Sequence, residues 1–349
     1  MPRVVDLTAL SLLPLSWRRD VAEALRGGAD AYELLDRFVA ERPHLELDAS
    51  SLRSRAAASL ARAKQRGLTP VPLGDPRYPA MLSEIFDPPV VLWLRGQASA
   101  LDAVAVAIVG SRAGSPYALA VAERLAADLA TRGIVIVSGL ARGVDSAAHR
   151  GALSAHGSTI GVLGSGADII YPAEHKALAA EMIERGALMS ELPAGTHPLP
   201  PFFPMRNRII SGLSRAVVVV EAGEKSGSLI TARSALEQGR DVLAVPGNVL
   251  GGRNRGGHAL LRDGAKIVET ADDILEELGF GPRLAFPTSN GMAEGGDPVL
   301  GCLTPGESCD VDQIAERSGL TIATLLPRLI DLELRGIVRR AGGGRFMRI

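Results

Sequence analysis

Between residues 103 and 270, short apolar runs alternate with longer stretches that have the periodicity of amphipathic helices. The apolar runs are 104–109, 134–137, 159–163, 187–189, 216–220, 242–245 and 265–268. Strands that are apolar at nearly every position are buried on both faces, and strands that alternate with helices pair in parallel. The pattern therefore predicts an α/β domain over residues 71–283, built on an extended, Rossmann-like, doubly wound parallel sheet.

The part of the chain N-terminal to this domain has a different pattern. Residues 1–70 carry apolar side chains at helical spacing, interrupted by glycine and proline, and predict a small helical, SAM-like domain. Residues 70–100 contain many prolines. They predict a lead-in with little regular structure, anchored by Tyr78, Phe86 and Trp93.

The chain behind it begins with a linker at 284–298, which is rich in glycine, proline and serine. Residues 299–349 then show two helical patterns joined at Gly319, followed by a hairpin pattern that turns at 342–344. Two helices and a hairpin predict a winged-helix domain.

The composition of the whole chain excludes several classes of protein. With 46% hydrophobic and 22% charged residues it is ordinary for a globular protein, and no apolar run is long enough to predict a membrane span. The N-terminus has no signal-peptide pattern, so we expect a cytoplasmic protein. The two cysteines, Cys302 and Cys309, have no nearby histidine and predict neither a metal site nor a disulfide framework.

Loops rich in glycine and serine follow most of the predicted strands. Gly110, Ser111 and Arg112 follow the first strand, 164–166 (Gly-Ser-Gly) follows the third, and 225–228 (Lys-Ser-Gly-Ser) comes after the fifth. In an open parallel sheet these loops lie at one edge, where ligands bind. Glycine lets backbone N–H groups approach a ligand, and helices that begin there present positive dipole ends. The edge therefore predicts a ligand that carries phosphates.

Known nucleotide motifs narrow the choice of ligand. The first loop reads GSRAGS and the second strand ends in Ser138, which disfavours a dinucleotide such as NAD. The sequence GEKS at 223–226 lacks the spacing of an ATP-binding P-loop. We therefore expect no nucleotide cofactor and no ATPase activity.

The net charge of the chain is −1, so binding to nucleic acid would need a local basic patch. The window 202–255 supplies one, and there Phe202 and Phe203 precede Arg206, Asn207 and Arg208. Stacking surfaces next to cations are typical of proteins that bind single strands. The alternative is that the phenylalanines belong to the core and that the arginines form ion pairs.

The sequence contains no convincing group of catalytic residues. His149 follows Asp145 by one helical turn, but no nucleophile is near, so we interpret Asp145 as a helix N-cap and His149 as a packing residue. We expect Glu191 and Glu221 to bond the arginines of 206–208. The sequence predicts no catalytic residue and no metal site.

Several long motifs together resemble the DNA-processing protein A family (DprA, also called Smf). They are AIVGSR at 107–112, SGLARGVD at 138–145, FPMRNRIIS at 203–211 and KSGSLITA at 225–232. The resemblance covers roughly residues 75–270. It implies a non-enzymatic homodimer that binds single-stranded DNA with little sequence preference. It also implies a role in loading RecA during natural transformation, with DNA repair as a second setting.

The resemblance also implies which residues bind DNA. They are Gly110, Ser111, Arg112, Lys176, Arg206, Asn207 and Arg208, together with Lys225 and Ser226. From the loop pattern we add the backbone N–H groups of 110–112 and of Gly164, Ser165 and Gly166 as a phosphate cradle, and Phe202 or Phe203 as a stacking ring. For the dimer interface we expect His258, Leu260, Leu261 and Ile267.

Two other functions remain open. Nucleotide phosphoribohydrolases of the lysine-decarboxylase-like group have a similar phosphate edge, but residues 224–231 lack the glutamate of their PGGxGTxxE motif. A winged-helix regulator that senses a nucleotide would prefer duplex DNA. Pro327 lies inside the candidate recognition helix, and Asp331 and Glu333 follow it. We therefore expect the last domain to bind proteins, or DNA weakly.

Overall fold

The computed structural model describes residues 2–280, 298–303, 307–334, 336–341 and 344–348. Its main sheet has nine strands. They are β1 (Thr69–Pro72), β2 (Val91–Gly96), β3 (Ala105–Val109), β4 (Val135–Ser138), β5 (Thr159–Val162), β6 (Ala187–Ser190), β7 (Ala216–Val219), β8 (Asp241–Ala244) and β9 (Lys266–Ile267). Each predicted apolar run is one of the strands β3 to β9, so the predicted sheet is confirmed. Of the predicted linker at 284–298, all but the last residue lies outside the described residues.

The order of the strands is β1-β2-β6-β5-β4-β3-β7-β8-β9. Strands β3 to β9 are parallel, whereas β1 and β2 add an antiparallel edge next to β6. The parallel part of the sheet therefore starts at β3, runs out to β6 on one side, and continues from β7 to β9 on the other side of β3. The order reverses between β3 and β7, and such a reversal opens a crevice at the carboxyl ends of the strands.

Helices cover both faces of the sheet. The helices up to residue 280 are α1 (Pro2–Ser11), α2 (Arg18–Arg26), α3 (Ala31–Ala40), α4 (Ala49–Gln65), α5 (Ala80–Ser83), α6 (Pro116–Ala130), α7 (Val144–Ser154), α8 (Lys176–Arg185), α9 (Phe202–Gly212), α10 (Ser228–Glu237), α11 (Arg255–Arg262) and α12 (Ala271–Glu277). Short 3-10 turns lie at Leu15–Trp17, Pro43–Leu45, Ala98–Leu101 and Ala173–His175. Helices α6, α7 and α12 pack with Ile108 on one face, while α9 and α10 pack with Ala107 on the other.

The segment 70–100 is more regular than predicted, because it contains β1 and β2. Pro70 and Pro72 concealed β1, which can hold prolines because it is the outermost strand. Trp93 in β2 is fully buried and packs in one core with α1, α3 and α4. The predicted helical N-terminus is confirmed, and its helices share a core with the antiparallel end of the sheet. Phe86 is not an anchor, since 62% of it is exposed and the Arg19 guanidinium lies 4.1 Å from its ring centroid.

The C-terminal part forms the predicted winged helix. It consists of α13 (Pro298–Gly301), β10 (Ser308–Asp310), α14 (Val311–Ser318), α15 (Ile322–Leu334), β11 (Val338–Ala341) and β12 (Arg345–Arg348). Strand β12 pairs antiparallel with both β10 and β11. Of the predicted hairpin turn at 342–344, only Gly344 belongs to the described residues. Helix α13 and strand β10 were not predicted from the sequence.

Candidate nucleic-acid interface

A cavity of about 780 Å³ lies at the point where the strand order reverses, beyond the carboxyl ends of β3 and β7. We call it the switch cavity. The predicted DNA-binding residues along its wall are Gly110, Ser111, Arg112, Phe203, Arg206, Asn207, Lys225 and Ser226. The predicted residues that do not reach its wall are Gly164, Ser165, Gly166, Lys176, Phe202 and Arg208.

The loop after β3 is fixed by its backbone. The Ser111 N–H donates to Glu221 O at 2.7 Å, and Ser111 O accepts from the Val144 N–H at 3.2 Å. Because that N–H of Ser111 is already bonded, it is not free to cradle a phosphate as predicted. The rigid loop instead carries the exposed Arg112, whose guanidinium carbon lies 5.3 Å from the Phe203 ring centroid.

Glu221 holds the far end of this loop. Its carboxylate accepts hydrogen bonds from the Ser115 backbone at 3.1 Å and the Ser115 hydroxyl at 2.6 Å. The prediction that Glu221 bonds an arginine of 206–208 is therefore wrong. Ser115 also caps α6 by accepting from the Ala118 N–H, so one residue joins the loop to both the helix and the sheet.

Arg206 lines the cavity but is only 6% exposed. Its guanidinium donates to Gly139 O at 2.7 Å and to Val162 O, and it faces the buried carboxylate of Asp145. Burial lowers the pKa of Arg206 to about 10, although Asp145 acts in the opposite direction. Its Nε and Nη1 donors are bonded within the protein, so Arg206 differs from the freely exposed cation that a DNA contact predicts.

Asp145 has a different part from the one predicted. Helix α7 has Gly143 at its N-cap, and the Asp145 carboxylate accepts from the N–H groups of Gly139 at 3.1 Å and Ala141 at 3.4 Å. Burial raises the pKa of Asp145. The carboxylate therefore shapes the loop between β4 and α7, and the N-cap interpretation is wrong.

Arg208 points away from the cavity into an ion-pair network. Its guanidinium lies 2.7 Å from Asp87 and 2.9 Å from Glu191, and Glu191 also binds Arg18 at 2.9 Å. Burial opposes the charge of Arg208, but the two carboxylates outweigh burial and raise its pKa. The predicted bond from Glu191 to an arginine of 206–208 is confirmed, whereas the expectation that Arg208 faces DNA is not supported.

The loop at 164–166 is buried under the aromatic residues. A methyl group at Gly164 would lie 2.9 Å from the Phe203 ring, and the Gly166 N–H is already bonded to Thr196 O at 2.8 Å. The Ser165 hydroxyl donates to Ile169 O at 2.7 Å. The glycines thus serve close packing, and the predicted phosphate cradle at this loop is not open to a ligand.

Tyr171 is a surface residue that the sequence analysis did not assign to the site. It lines the cavity with 47% of its surface exposed, and its ring lies 5.6 Å from the Phe203 ring. Lys176 begins α8, five positions after Tyr171, and Lys225 lines the cavity. Within the described part of the chain, none of Arg112, Lys176 and Lys225 pairs with a carboxylate. The rim therefore combines two aromatic rings with free cations.

His149 is a packing residue, as predicted. It is fully buried, and its Nδ1 lies 2.7 Å from the Thr159 hydroxyl. Burial lowers the pKa of His149 to about 3, so the ring is neutral at physiological pH.

In the described residues, no group of three His, Cys, Asp or Glu side chains could hold a metal ion. Likewise, no described helix is long and apolar enough to cross a bilayer.

Comparison with known proteins identifies the family. The family model described as DNA recombination-mediator protein A matches residues 70–279, more than half of the chain. The chain belongs to this family. A second family model, the DprA winged helix domain, matches residues 289–344.

Relatives with the DprA or Smf name cover most of the chain. Protein Smf of Escherichia coli is 42% identical over 292 residues, which cover 78% of this chain and 76% of the relative. The DNA processing protein DprA of Bacillus subtilis is 39% identical, with coverage of 79% and 93%.

Solved structures of DprA proteins have the same fold. The X-ray structure of DprA from Streptococcus pneumoniae matches with a TM-score of 0.61 and 42% identity, covering 66% of this chain and 82% of that one. A Helicobacter pylori DprA structure, described by its single-stranded DNA binding mode, matches with a TM-score of 0.54 and 32% identity. It covers 57% of this chain and 92% of that one.

The residues predicted for a DprA dimer lie at the β9 end of the sheet, but they differ in exposure. Ile267 is 58% exposed on β9, which pairs with β8 alone among the described strands. Leu260 packs inward against the core, and His258 Nε2 lies 3.0 Å from Gly247 O. Leu261 is half-buried. Ile267 is thus the predicted residue best placed to meet a partner.

Proposed function

We propose that the chain binds single-stranded DNA in the switch cavity with little sequence preference. The observation that carries this proposal is the rim of the cavity. There the rings of Tyr171 and Phe203 contact each other, the unpaired cation of Arg112 lies over Phe203, and Lys176 follows Tyr171 by five positions in the chain. Proteins that hold single strands combine aromatic surfaces for bases with cations that follow the backbone. The single-stranded DNA named for the H. pylori DprA structure supports the same ligand.

Different residues would contact the phosphates and the bases of the strand. Arg112, Lys176 and Lys225 would neutralise phosphates, while the exposed face of Tyr171 would stack on a base. Arg206 would act as a positioning residue, because it ties the loop at Gly139 to the end of β5 through Val162 O. Cations and rings accept any base, so we expect little sequence preference.

We expect Arg112→Ala and Lys176→Ala each to weaken binding to oligo-dT and to lower its salt dependence. Loss of one phosphate contact reduces the slope of log K against log salt by about 0.7 for a single strand. Fluorescence anisotropy with labelled oligo-dT and a matching duplex, at several salt concentrations, measures both quantities. Arg124→Ala is the matched control, since Arg124 is 80% exposed and lies on the second half of α6, away from the cavity.

Several outcomes would count against this site. Unchanged affinity in both cavity variants would exclude the proposed contacts. A preference for duplex would shift attention to the winged helix. An equal loss in Arg124→Ala would mean that only overall charge matters.

We also propose that the chain forms a homodimer through the free edge of β9. An unpaired strand edge can pair with the same edge of a second copy. Ile267→Lys is expected to convert the dimer to a monomer, as measured by analytical ultracentrifugation. A dimer that survives this substitution, or a wild-type chain that is a monomer, would contradict the proposed interface.

A role in loading RecA onto the bound strand, during transformation or repair in the cytoplasm, is the third part of the proposal. The family description, recombination mediator, supports it. RecA assembly on oligo-dT, followed by fluorescence with and without the chain, tests it. Equal assembly rates would remove this part and leave DNA binding intact.

The enzyme alternative rests on the same phosphate edge. Incubation with nucleoside monophosphates and chromatography for free base would decide it. Release of base that is lost in Lys225→Ala would favour the phosphoribohydrolase, whereas absence of base together with binding to oligo-dT would favour the DNA-binding function.

A further inference from the structure

An exposed ion pair lies at the edge of the switch cavity, outside the set of predicted DNA contacts. Arg142 Nε and Nη2 each lie 2.7 Å from an oxygen of Glu174, so the pair is bidentate. Both side chains remain more than half exposed, at 59% and 53%. Arg142 directly follows Ala141, a residue of the cavity wall, and Glu174 lies two positions before Lys176.

The backbone beneath Arg142 is held rigidly next to the cavity. The neighbouring Gly143 lies directly against the backbone of Ser111 and Arg112, and Leu140 O accepts a hydrogen bond from His175 at 2.9 Å. Arg142 is also close enough to Tyr171 for the two groups to interact electrostatically. A fixed backbone thus carries an exposed guanidinium near the ring that would stack on a base.

A row of groups runs from Arg112 to Lys176, first through ring contacts and then along the chain. Arg112 lies over Phe203 and Phe203 contacts Tyr171. Glu174, the partner of Arg142, and Lys176 come three and five positions after Tyr171 in the chain. A strand that contacts both Arg112 and Lys176 would pass over this pair. Glu174 is the acid within the row, and it is charged, because the hydrogen bond from Arg142 lowers its pKa.

The chemistry of the pair makes it replaceable. A guanidinium grips carboxylate and phosphate with the same two-pronged geometry. An exposed ion pair contributes little net stability, since water and salt screen it. A phosphate of the strand can therefore take the place of Glu174 on Arg142 at small cost.

We propose that Arg142 is a further phosphate-binding residue for single-stranded DNA, and that Glu174 holds it in a competing ion pair until a strand arrives. The inference rests on the proposed function. Glu174 then acts as an internal counter-ion, which weakens binding of a single isolated phosphate and lowers the salt dependence of the whole site.

The test uses the full chain with Glu174→Gln, Arg142→Gln and the double variant, titrated with labelled oligo-dT at several salt concentrations. Glu174→Gln should bind about two- to fivefold more tightly, because no competitor remains for Arg142. Arg142→Gln should bind more weakly and with a salt slope smaller than that of Glu174→Gln by about 0.7. The gain from Glu174→Gln should shrink in the Arg142→Gln background, since part of it depends on the arginine.

The Arg124–Asp128 pair on α6 supplies charge-matched controls. Arg124→Gln and Asp128→Asn change the net charge by the same amounts at an exposed pair away from the cavity, and both should bind as wild type does. Circular dichroism checks that each variant is folded.

Three results would overturn the inference. The first is wild-type affinity for oligo-dT in Arg142→Gln. The second is an equal gain in affinity from Glu174→Gln in the wild-type and Arg142→Gln backgrounds, which would mean that Glu174 only repels the strand. The third is that the α6 control substitutions change affinity as much as the substitutions at the pair. If wild type binds oligo-dT and Arg112→Ala does not, such results remove only the role of Arg142. If wild type does not bind oligo-dT, the proposed function itself fails.

Discussion

Replacement of Arg206 by methionine is expected to lower the free energy of unfolding by about 3–5 kcal/mol. The guanidinium is buried, and its removal leaves Gly139 O and Val162 O without their donors. The Asp145 carboxylate loses the positive charge that opposes the effect of its burial. Methionine fills much of the volume, so the loss reports on the missing charge and hydrogen bonds. Urea unfolding followed by circular dichroism measures it.

Arg206→Lys separates the charge from the hydrogen bonds. Lysine keeps the positive charge but has one nitrogen in place of the planar fork, so we expect a smaller loss of stability. Any folded Arg206 variant should keep the wild-type salt slope for oligo-dT, because Arg206 is only 6% exposed and its Nε and Nη1 donors are bonded within the protein. A stable Arg206→Met protein with a reduced slope would show instead that this arginine contacts phosphate.

Gly143→Ala is expected to destabilise the chain by about 2–4 kcal/mol and to weaken binding of oligo-dT by about tenfold or more. Gly143 has φ +76°, and a methyl group there would lie 2.2 Å from Ser111 O and 2.8 Å from the carbonyl of Arg112. The new methyl group must push away the loop that carries Arg112. Thermal unfolding and anisotropy on the same preparations measure the two effects.

Gly133→Ala is the control for this substitution. Gly133 has a similar φ of +79°, but no atom lies within 4 Å of the added methyl group. It should therefore lose only about 1 kcal/mol for the strained backbone and bind oligo-dT normally. Equal losses in the two variants would mean that backbone strain, and not contact with the loop, explains the effect of Gly143.

The parallel sheet could be predicted because burial on both faces leaves continuous apolar runs in the sequence. The two antiparallel edge strands could not, since prolines at 70 and 72 are signals of irregular structure. They are compatible with β1 only because its outer edge is unpaired, which is a property of the assembled sheet.

The position of the site could also be predicted, because it follows from the ends of parallel strands. The exposure of each cation could not. Arg208 pairs with Asp87, which is 121 positions away in the chain. Arg206 is held by the loop at Gly139, by Val162 of β5 and by the charge of Asp145 in α7. Tyr171 could not be assigned to the site from the sequence, because the residue that it contacts, Phe203, is distant in the chain. The sequence Gly-Ser-Gly at 164–166 does not distinguish a loop that binds a ligand from a loop that is closely packed.

The ion-pair network around Arg208 has a consequence for how sequences of this kind can drift over generations. Arg18, Asp87 and Glu191 come from the first helices, the lead-in and the sheet edge, and Arg208 joins them from α9. A substitution at any one of these positions leaves a mostly buried charge without its partner. Such a substitution becomes tolerable only after a matching change elsewhere in the network. The helical domain and the helix that carries Phe203 are therefore bound to vary together, although no ligand need touch them both.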